Sequence, residues 1–416
     1  MPIKGPHKRK TISIYFMFKG GKRMKKWKKL LAMMVVAAMI LTVTACSPER
    51  TTTEPAAETS AEIPAAEADL AADDTEAVVD DAEAGTEAMA DSGSNDVFDI
   101  AGYKSDKDKS EWTIAVVTKD NTANWFKRME VGVNEFGEET GINVIQKGPA
   151  NADAASQVQV IDDLINQGVD ALCVVPIDPG AIEASLKNAM EQGIVVITHE
   201  ASNQVNTLFN TEAFTADDFG AAIMDALASD MSEEGKYAMM VAYTTSTTHM
   251  EYANAQFNRQ QEAYPNMTLI NDGAIPSAES EESIDTSYER AKEILKVNPD
   301  LKGFTGVAST DCPGIAKAVE ELGLDVKVVG VGTPNEFRPF VESGTISTVK
   351  LWDPKDSGYV MCQVASMILG GESVGDGADL GLPGYENVTL IEGDNRCLIG
   401  QADITLTIDN ITDYDF

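Results

Sequence analysis

Histidine is nearly absent from this chain, with three among 416 residues. Beyond His7 there are only His199 and His249. The five cysteines show no C-x-x-C spacing, so neither a zinc set nor a dithiol redox motif is expected. The stretch HEASN at His199 begins like the H-E-x-x-H of a zinc protease. Asn203 stands where the second histidine is needed, and the stretch follows a strand instead of riding on a helix. A G-x-S-x-G elbow and a P-loop are also missing, and GVGTPN at Gly330 is half of a dinucleotide fingerprint. No metal, cofactor or ATP site is therefore expected on this chain, and no catalysis.

Basic residues are scarce as well. The 32 Lys and Arg against 67 Asp and Glu leave a formal net charge of −35. Nucleic-acid binding needs clustered Lys and Arg to displace counterions, so no nucleic-acid partner is expected. The exception is residues 1–46, with eleven Lys or Arg and no acid. From Met24 the chain reads MKKWKKLLAMMVVAAMILTVTAC: a basic start, an apolar run, and small residues before Cys46. That pattern predicts a signal peptide ending in a lipobox rather than a transmembrane helix that happens to end in cysteine. Met24 is the expected true start, because Lys-Gly-Gly-Lys-Arg before it suits a translated ribosome-binding site. Cys46 would carry the lipid, with palmitate among the acyl chains, and become the new N-terminus. At roughly 0.8 kcal/mol per buried CH₂, two or more chains hold a protein stably to a membrane. The expected location is the outer face of the cell membrane, on the extracellular or periplasmic side. Cys173 has apolar neighbours and reads as a core thiol; no pairing can be assigned among Cys312, Cys362 and Cys397.

Residues 47–100 hold sixteen acids and one base, Arg50. Low hydrophobicity and like-charge repulsion predict a disordered linker over 47–110. At Glu111 the pattern changes. WTIAVVTKD, INVIQKG, ALCVVPID and IVVITHE read as buried strands, separated by the amphipathic stretches NWFKRMEVGVNEFGEETG, AASQVQVIDDLINQG and DPGAIEASLKNAMEQG. After a pause near SNQVNTLFNTEAFT the alternation restarts and runs to TISTVKLWD. Near-continuous apolar strands alternating with helices predict parallel sheets covered on both faces, in two Rossmann-like α/β lobes. The expected lobes are 111–206 plus 354–388 and 207–350 plus 389–416, with crossings near 206–212, 350–354 and 386–390. Ligands of open parallel sheets bind beyond the carboxyl ends of the strands. Two such lobes face each other across one cleft, so the candidate ligand-binding residues are the strand ends and the residues next to them. These are Lys119, Asn121, Trp125, Phe126, His199, Glu200, His249, Ser309, Asp311, Asn335, Trp352 and Asp353.

The phrases QVQVIDDLINQGVDALCVVPIDPGAIEASLKNAMEQGIVVIT and GVGTPNEFRPFVESGTISTVKLWD, with the ending ITDYDF, resemble a known family. They are similar to type I periplasmic solute-binding proteins of ABC importers, in the sugar branch that holds autoinducer-2-binding and rhamnose-binding proteins. The resemblance spans Glu111 to Phe416. It implies a periplasmic-binding-protein-like fold, a sugar or sugar-like ligand, and an ABC transporter permease as partner. The family's lysine after the first strand matches Lys119, and its aspartate after the fourth strand falls on Glu200. Its aspartate and glutamine pair falls near His249, Met250 and Glu251, and the proline and alanine of the autoinducer-2 site near Val307 and Ser309. Most autoinducer-2 contacts are thus altered.

The candidate residues suit a polyol. Carboxylates of Glu200, Asp311 and Asp353 accept from hydroxyls, Lys119 and Asn121 donate, and neutral His199 and His249 do both. Trp125, Phe126 and Trp352 offer faces to C–H surfaces. Each has a structural alternative. The three aromatics can pack a helix start and a hinge, and Asp311 can cap the helix at Pro313. The expected protein is a lipid-anchored monomer whose lobes close on a small molecule. A ligand-binding receptor subunit for a membrane sensor uses the same module and is the alternative expectation.

Overall fold

The computed structural model describes residues 100–393 and 395–416; the expected signal peptide, Cys46 and residues 47–99 of the linker lie outside them. The folded chain starts earlier than expected. Ile100–Tyr103 and Lys109–Glu111 form 3-10 turns, Ile100 and Tyr103 pack on the core, and Lys107 meets Asp170 at 2.5 Å. The linker's expected end at 110 is therefore corrected, because residues 100–110 have two apolar side chains and an ion pair to dock with.

The first lobe alternates β1 (Thr113–Val117), α1 (Asn124–Thr140), β2 (Asn143–Lys147), α2 (Ala154–Gln167), β3 (Ala171–Val174), α3 (Pro179–Glu191), β4 (Val195–His199) and β5 (Phe209–Glu212). The second runs through α4 (Ala216–Asp230), β6 (Gly235–Val241), α5 (Thr247–Ala263), β7 (Met267–Leu269), β8 (Ala278–Glu279), α6 (Ile284–Val297), β9 (Leu301–Gly306), α7 (Asp311–Leu322), β10 (Lys327–Val331), α8 (Pro334–Ser343) and β11 (Ile346–Leu351). Then α9 (Pro354–Gly370), β12 (Thr389–Glu392) and β13 (Arg396–Ile399) return to the first lobe, and β14 (Ile404–Leu406) joins the second. Among the described residues the sheets order as β12-β13-β5-β4-β3-β1-β2 and β14-β11-β10-β9-β6-β7, with β8 also on β6. Every pairing is parallel except β12 with β13 and β11 with β14. Strands β3 and β4 are buried throughout, as sheets covered on both faces require.

The expected lobe boundaries are corrected by strand pairing. β5 pairs with β4 and β13 pairs with β5, so residues 207–213 and 389–399 belong to the first lobe. The crossings fall at 213–215, 352–353 and 400–403. Two of them run together: Gly400 N donates to Glu212 O at 2.8 Å and Ala402 N to Ala213 O at 2.9 Å. β5 was invisible in the pattern because its buried residues include Asn210 and Glu212, with no apolar run to read.

Two devices hold the strand ends of the first lobe in place. Gln157, fully buried on α2, donates to Thr118 O (3.0 Å) and Val175 O (2.9 Å) and accepts from Ile177 N (3.0 Å). On the other face α1 and α9 approach so closely that a Cβ on Gly132 would lie 1.8 Å from Lys355 O. At the junction of the lobes Trp352 meets Trp125 (centroids 4.8 Å), Phe214 (5.3 Å), Phe219 (5.8 Å) and Tyr252 (6.3 Å) edge-on. Such edge-to-face pairs stabilise beyond their area burial, by about 0.5–1.5 kcal/mol each.

Candidate functional site

Lys119 follows β1, and its side chain is buried. The turn behind it is fixed by Asp120, whose Oδ1 accepts from Thr122 N and Ala123 N, both at 2.7 Å. Glu200 follows β4 with φ 58°, a left-handed conformation uncommon for a residue with a side chain and concentrated at functional sites. Lys119 Nζ donates to Glu200 Oε2 at 2.7 Å. The second lobe brings two more groups to the same ammonium. His249, in the first turn of α5, places Nε2 3.5 Å from it, and Glu282, just past β8, places Oε1 3.9 Å away. Glu281 and Glu282 both have positive φ, 57° and 52°, which turns the chain sharply between β8 and α6.

Around this cluster the lobes close on a cavity of about 20 Å³, room for roughly one water. Its walls are Lys119, Trp125, Phe126 and Glu200 from the first lobe, His249, Glu282, Val307, Ala308, Ser309 and Val331 from the second, and Trp352 at the crossing. Rim contacts join the lobes as well. Asn124 donates to Glu336 (2.7 Å), Thr247 to Asn203 (2.8 Å), Tyr243 to Ala152 O (3.0 Å), and Ser202 to Glu251.

Burial sets the charges. It works against the Lys119 ammonium, but the carboxylates of Glu200 and Glu282 outweigh it and raise the pKa. Burial likewise opposes ionisation of Glu200, yet Lys119 beside it pulls the carboxyl down to about 2. Glu282 is pushed up to about 7 by burial, Lys119 only partly opposing. His249 falls to about 3 through burial and the Lys119 charge, so its ring is neutral. With Lys119 donating to Nε2, the proton of that ring sits on Nδ1, which is buried with no hydrogen-bond partner.

The structure thus brings together seven of the expected residues, Lys119, Trp125, Phe126, Glu200, His249, Ser309 and Trp352. The other five are corrected. His199 lies one layer behind: Nδ1 is 2.6 Å from Thr211 O and Nε2 3.7 Å from Glu200 Oε1, so the ring backs the carboxylate. Asn121 is exposed and donates to Gly148 O (3.3 Å). Asp311 turns back on its own strand end, its Oδ2 accepting from Val307 N and Ala308 N at 2.9 Å, and so shapes the wall without lining it. Asn335 ties down the C-terminus, donating to Asp415 (3.2 Å) and to Phe416 O (2.9 Å). Asp353 caps α9 and accepts two bonds from Arg128, at 2.8 and 2.6 Å. Glu282, Ala308 and Val331 were missed. Ala308 and Val331 sit at strand ends and were open to the same logic that found Ser309. Glu282 was not, because the two-residue strand β8 before it has no pattern.

Two doubly wound α/β lobes, crossed three times by the chain and facing each other over a polar, aromatic-walled cleft, define a two-lobe ligand-binding protein. Residues 114–373, more than half of the chain, match the model of the periplasmic binding protein domain, and the chain belongs to that family. Among similar proteins is the D-allose-binding periplasmic protein of Escherichia coli (strain K12), 24% identical over 251 residues, 59% of this chain and 80% of that one. The ribose import binding protein of Bacillus subtilis (strain 168) is 22% identical over 275 residues, 64% of this chain and 84% of that one. Of solved structures, LsrB from Clostridium saccharobutylicum in complex with AI-2 aligns with TM-score 0.67 and 23% identity, covering 73% of this chain and all of that one. An ABC transporter solute-binding protein from Clostridium phytofermentas with bound L-rhamnose aligns with TM-score 0.68 and 21% identity, over 73% and 98% of the two chains.

Proposed function

We propose that this protein captures a sugar or sugar-like small molecule between its lobes and delivers it to the permease of an ABC importer. It does so while held by lipid on Cys46 at the outer face of the membrane. The observation that carries the reading is the convergence on Lys119 of Glu200 from one lobe and His249 and Glu282 from the other. A polyol exchanges hydroxyls for these contacts, with Lys119 donating and Glu200 accepting, while Trp125, Phe126 and Trp352 take its C–H faces. Micromolar affinity needs about −8 kcal/mol. Several charge-assisted bonds at roughly 1.5–3 kcal/mol each, plus one stacked ring, reach that before ordering costs. Relatives named for allose and ribose, and a structural neighbour holding L-rhamnose, support the ligand class. Binding is the role that this convergence of side chains supports.

The test is a thermal-shift panel on the protein, unfolded and refolded to strip bound solute, with rhamnose, ribose, xylose, allose, galactose, glucose and autoinducer-2. At 100 Kd a ligand stabilises by about 2.7 kcal/mol. A hit that Glu200→Gln removes is the expected result. A hit that survives Glu200→Gln and Lys119→Met alike would move the site elsewhere.

A further inference from the structure

Glu282 is the one cleft carboxylate with no hydrogen bond of its own. Its side chain is 9% exposed, and its contact with Lys119 is 3.9 Å, against 2.7 Å for the Glu200 pair. It comes from the second lobe, in a backbone conformation that few residues with side chains adopt. Lys119 is therefore spent on Glu200, and the cavity is left with one more carboxylate than it has bases. His249 does not restore the balance, because its ring is neutral and already accepts from Lys119. A buried charge without a full partner costs free energy, which a protein avoids by taking up a proton or a counter-charge. The elevated carboxyl of Glu282, at about 7, is the first of these responses; the second is a ligand that brings the charge. Trp125 and Trp352 line the same cavity, and indole rings are the aromatic groups that attract a cation best.

We infer that the ligand carries one cationic amine beside its hydroxyls, an amino sugar or amino-polyol, with the ammonium seated on Glu282 and the hydroxyls on Lys119 and Glu200. The inference rests on the polyol reading of the same cleft. It assigns Glu282 the discrimination between charged and neutral ligands, and Glu200 the hold on both.

The test measures affinities by calorimetry on the full chain in detergent. Probes are glucosamine, galactosamine, mannosamine and 1-amino-1-deoxyglucitol, each beside its parent hydroxyl compound and its N-acetyl form. The expected result is that at least one amine binds about tenfold or more tighter than its parent and its N-acetyl form, the effect of a single charge-assisted bond. Glu282→Gln, nearly isosteric, should bring the ratio of amine to parent affinity close to one, whatever it does to the affinity for the parent itself. Parents binding as tightly as amines would overturn the inference and leave the sugar reading standing. An amine preference that persists in Glu282→Gln would also overturn it. Binding by no member of this panel, with a neutral sugar of the thermal-shift panel bound, would overturn the inference and leave the sugar reading standing, and the comparison of amine with parent needs no variant at all.

Discussion

Glu212 shows how a single buried group carries a measurable signature. It ends β5, accepts from Asn210 at 2.7 Å, and stands 3.6 Å from His199 Nδ1. Burial raises its carboxyl to about 8, with the Glu200 charge adding to the shift. Glu282 is raised to about 7 by burial. A raised carboxyl means that the folded state binds the proton that the unfolded chain has released. The stability from these two groups is present below their ordinary value near 4.5 and is lost as pH rises toward 8. The buried histidines act with the opposite sign. His249 is lowered to about 3, and its contribution, present above about 6.5, is lost as the solution is acidified below that value. Above 6.5 the carboxylates act alone. Stability from chemical denaturation should therefore fall between pH 6.5 and 8, and Glu212→Gln should flatten the slope. A slope that rises with pH, or is untouched by the substitution, would refute this assignment.

At the scale of elements, the cleft depends on strand ends that stay where α2 holds them. The Gln157 amide satisfies two carbonyls and one amide after β1 and β3, and it is fully buried. Gln157→Leu keeps the volume and strands those three groups. With roughly 1–3 kcal/mol for each buried group left unpaired and partial relaxation, the expected loss is about 2–4 kcal/mol. Urea denaturation measures it, and a loss under about 0.5 kcal/mol would mean that water replaces the amide. Helices α1 to α7 and the apolar strands were legible, because period 3.6 with end glycines and continuous Val, Ile and Leu runs leave little choice. Helices α8 and α9 and strands β5, β8, β12, β13 and β14 were not read. β5 is buried yet rich in polar residues, β8 has two residues, and β12 is largely exposed at a sheet edge.

For the whole molecule, the lobes meet through side chains at the rim and through the ring cluster at Trp352, and between them only a water-sized space remains. Admission of the proposed ligand needs the lobes to part about 213–215, 352–353 and 400–403. A ligand touching both lobes then favours the closed form by its differential affinity for it. Small-angle scattering on residues 100–416 should show a radius of gyration that shrinks on saturation with a proven ligand. An unchanged radius would put the capture mechanism wrong. The same geometry predicts that Arg128→Ala, which frees Asp353 at a crossing, shifts the ligand-free form while leaving the cleft's own contacts intact.

Sequence by itself determined the fold class, two parallel α/β lobes, and the rule that strand ends bear the site; it also named Lys119, Glu200, His249 and Trp352. Local pattern suffices there, since burial on both faces leaves its mark on every residue of a strand. Tertiary structure alone decided which strand ends face each other. It set His199 behind Glu200, turned Asp311 and Asp353 to backbone and Arg128, and brought Glu282 from an unpatterned loop to Lys119. The contacts of Asp353 with Arg128 and of Glu282 with Lys119 join segments more than a hundred residues apart, which no local spacing encodes.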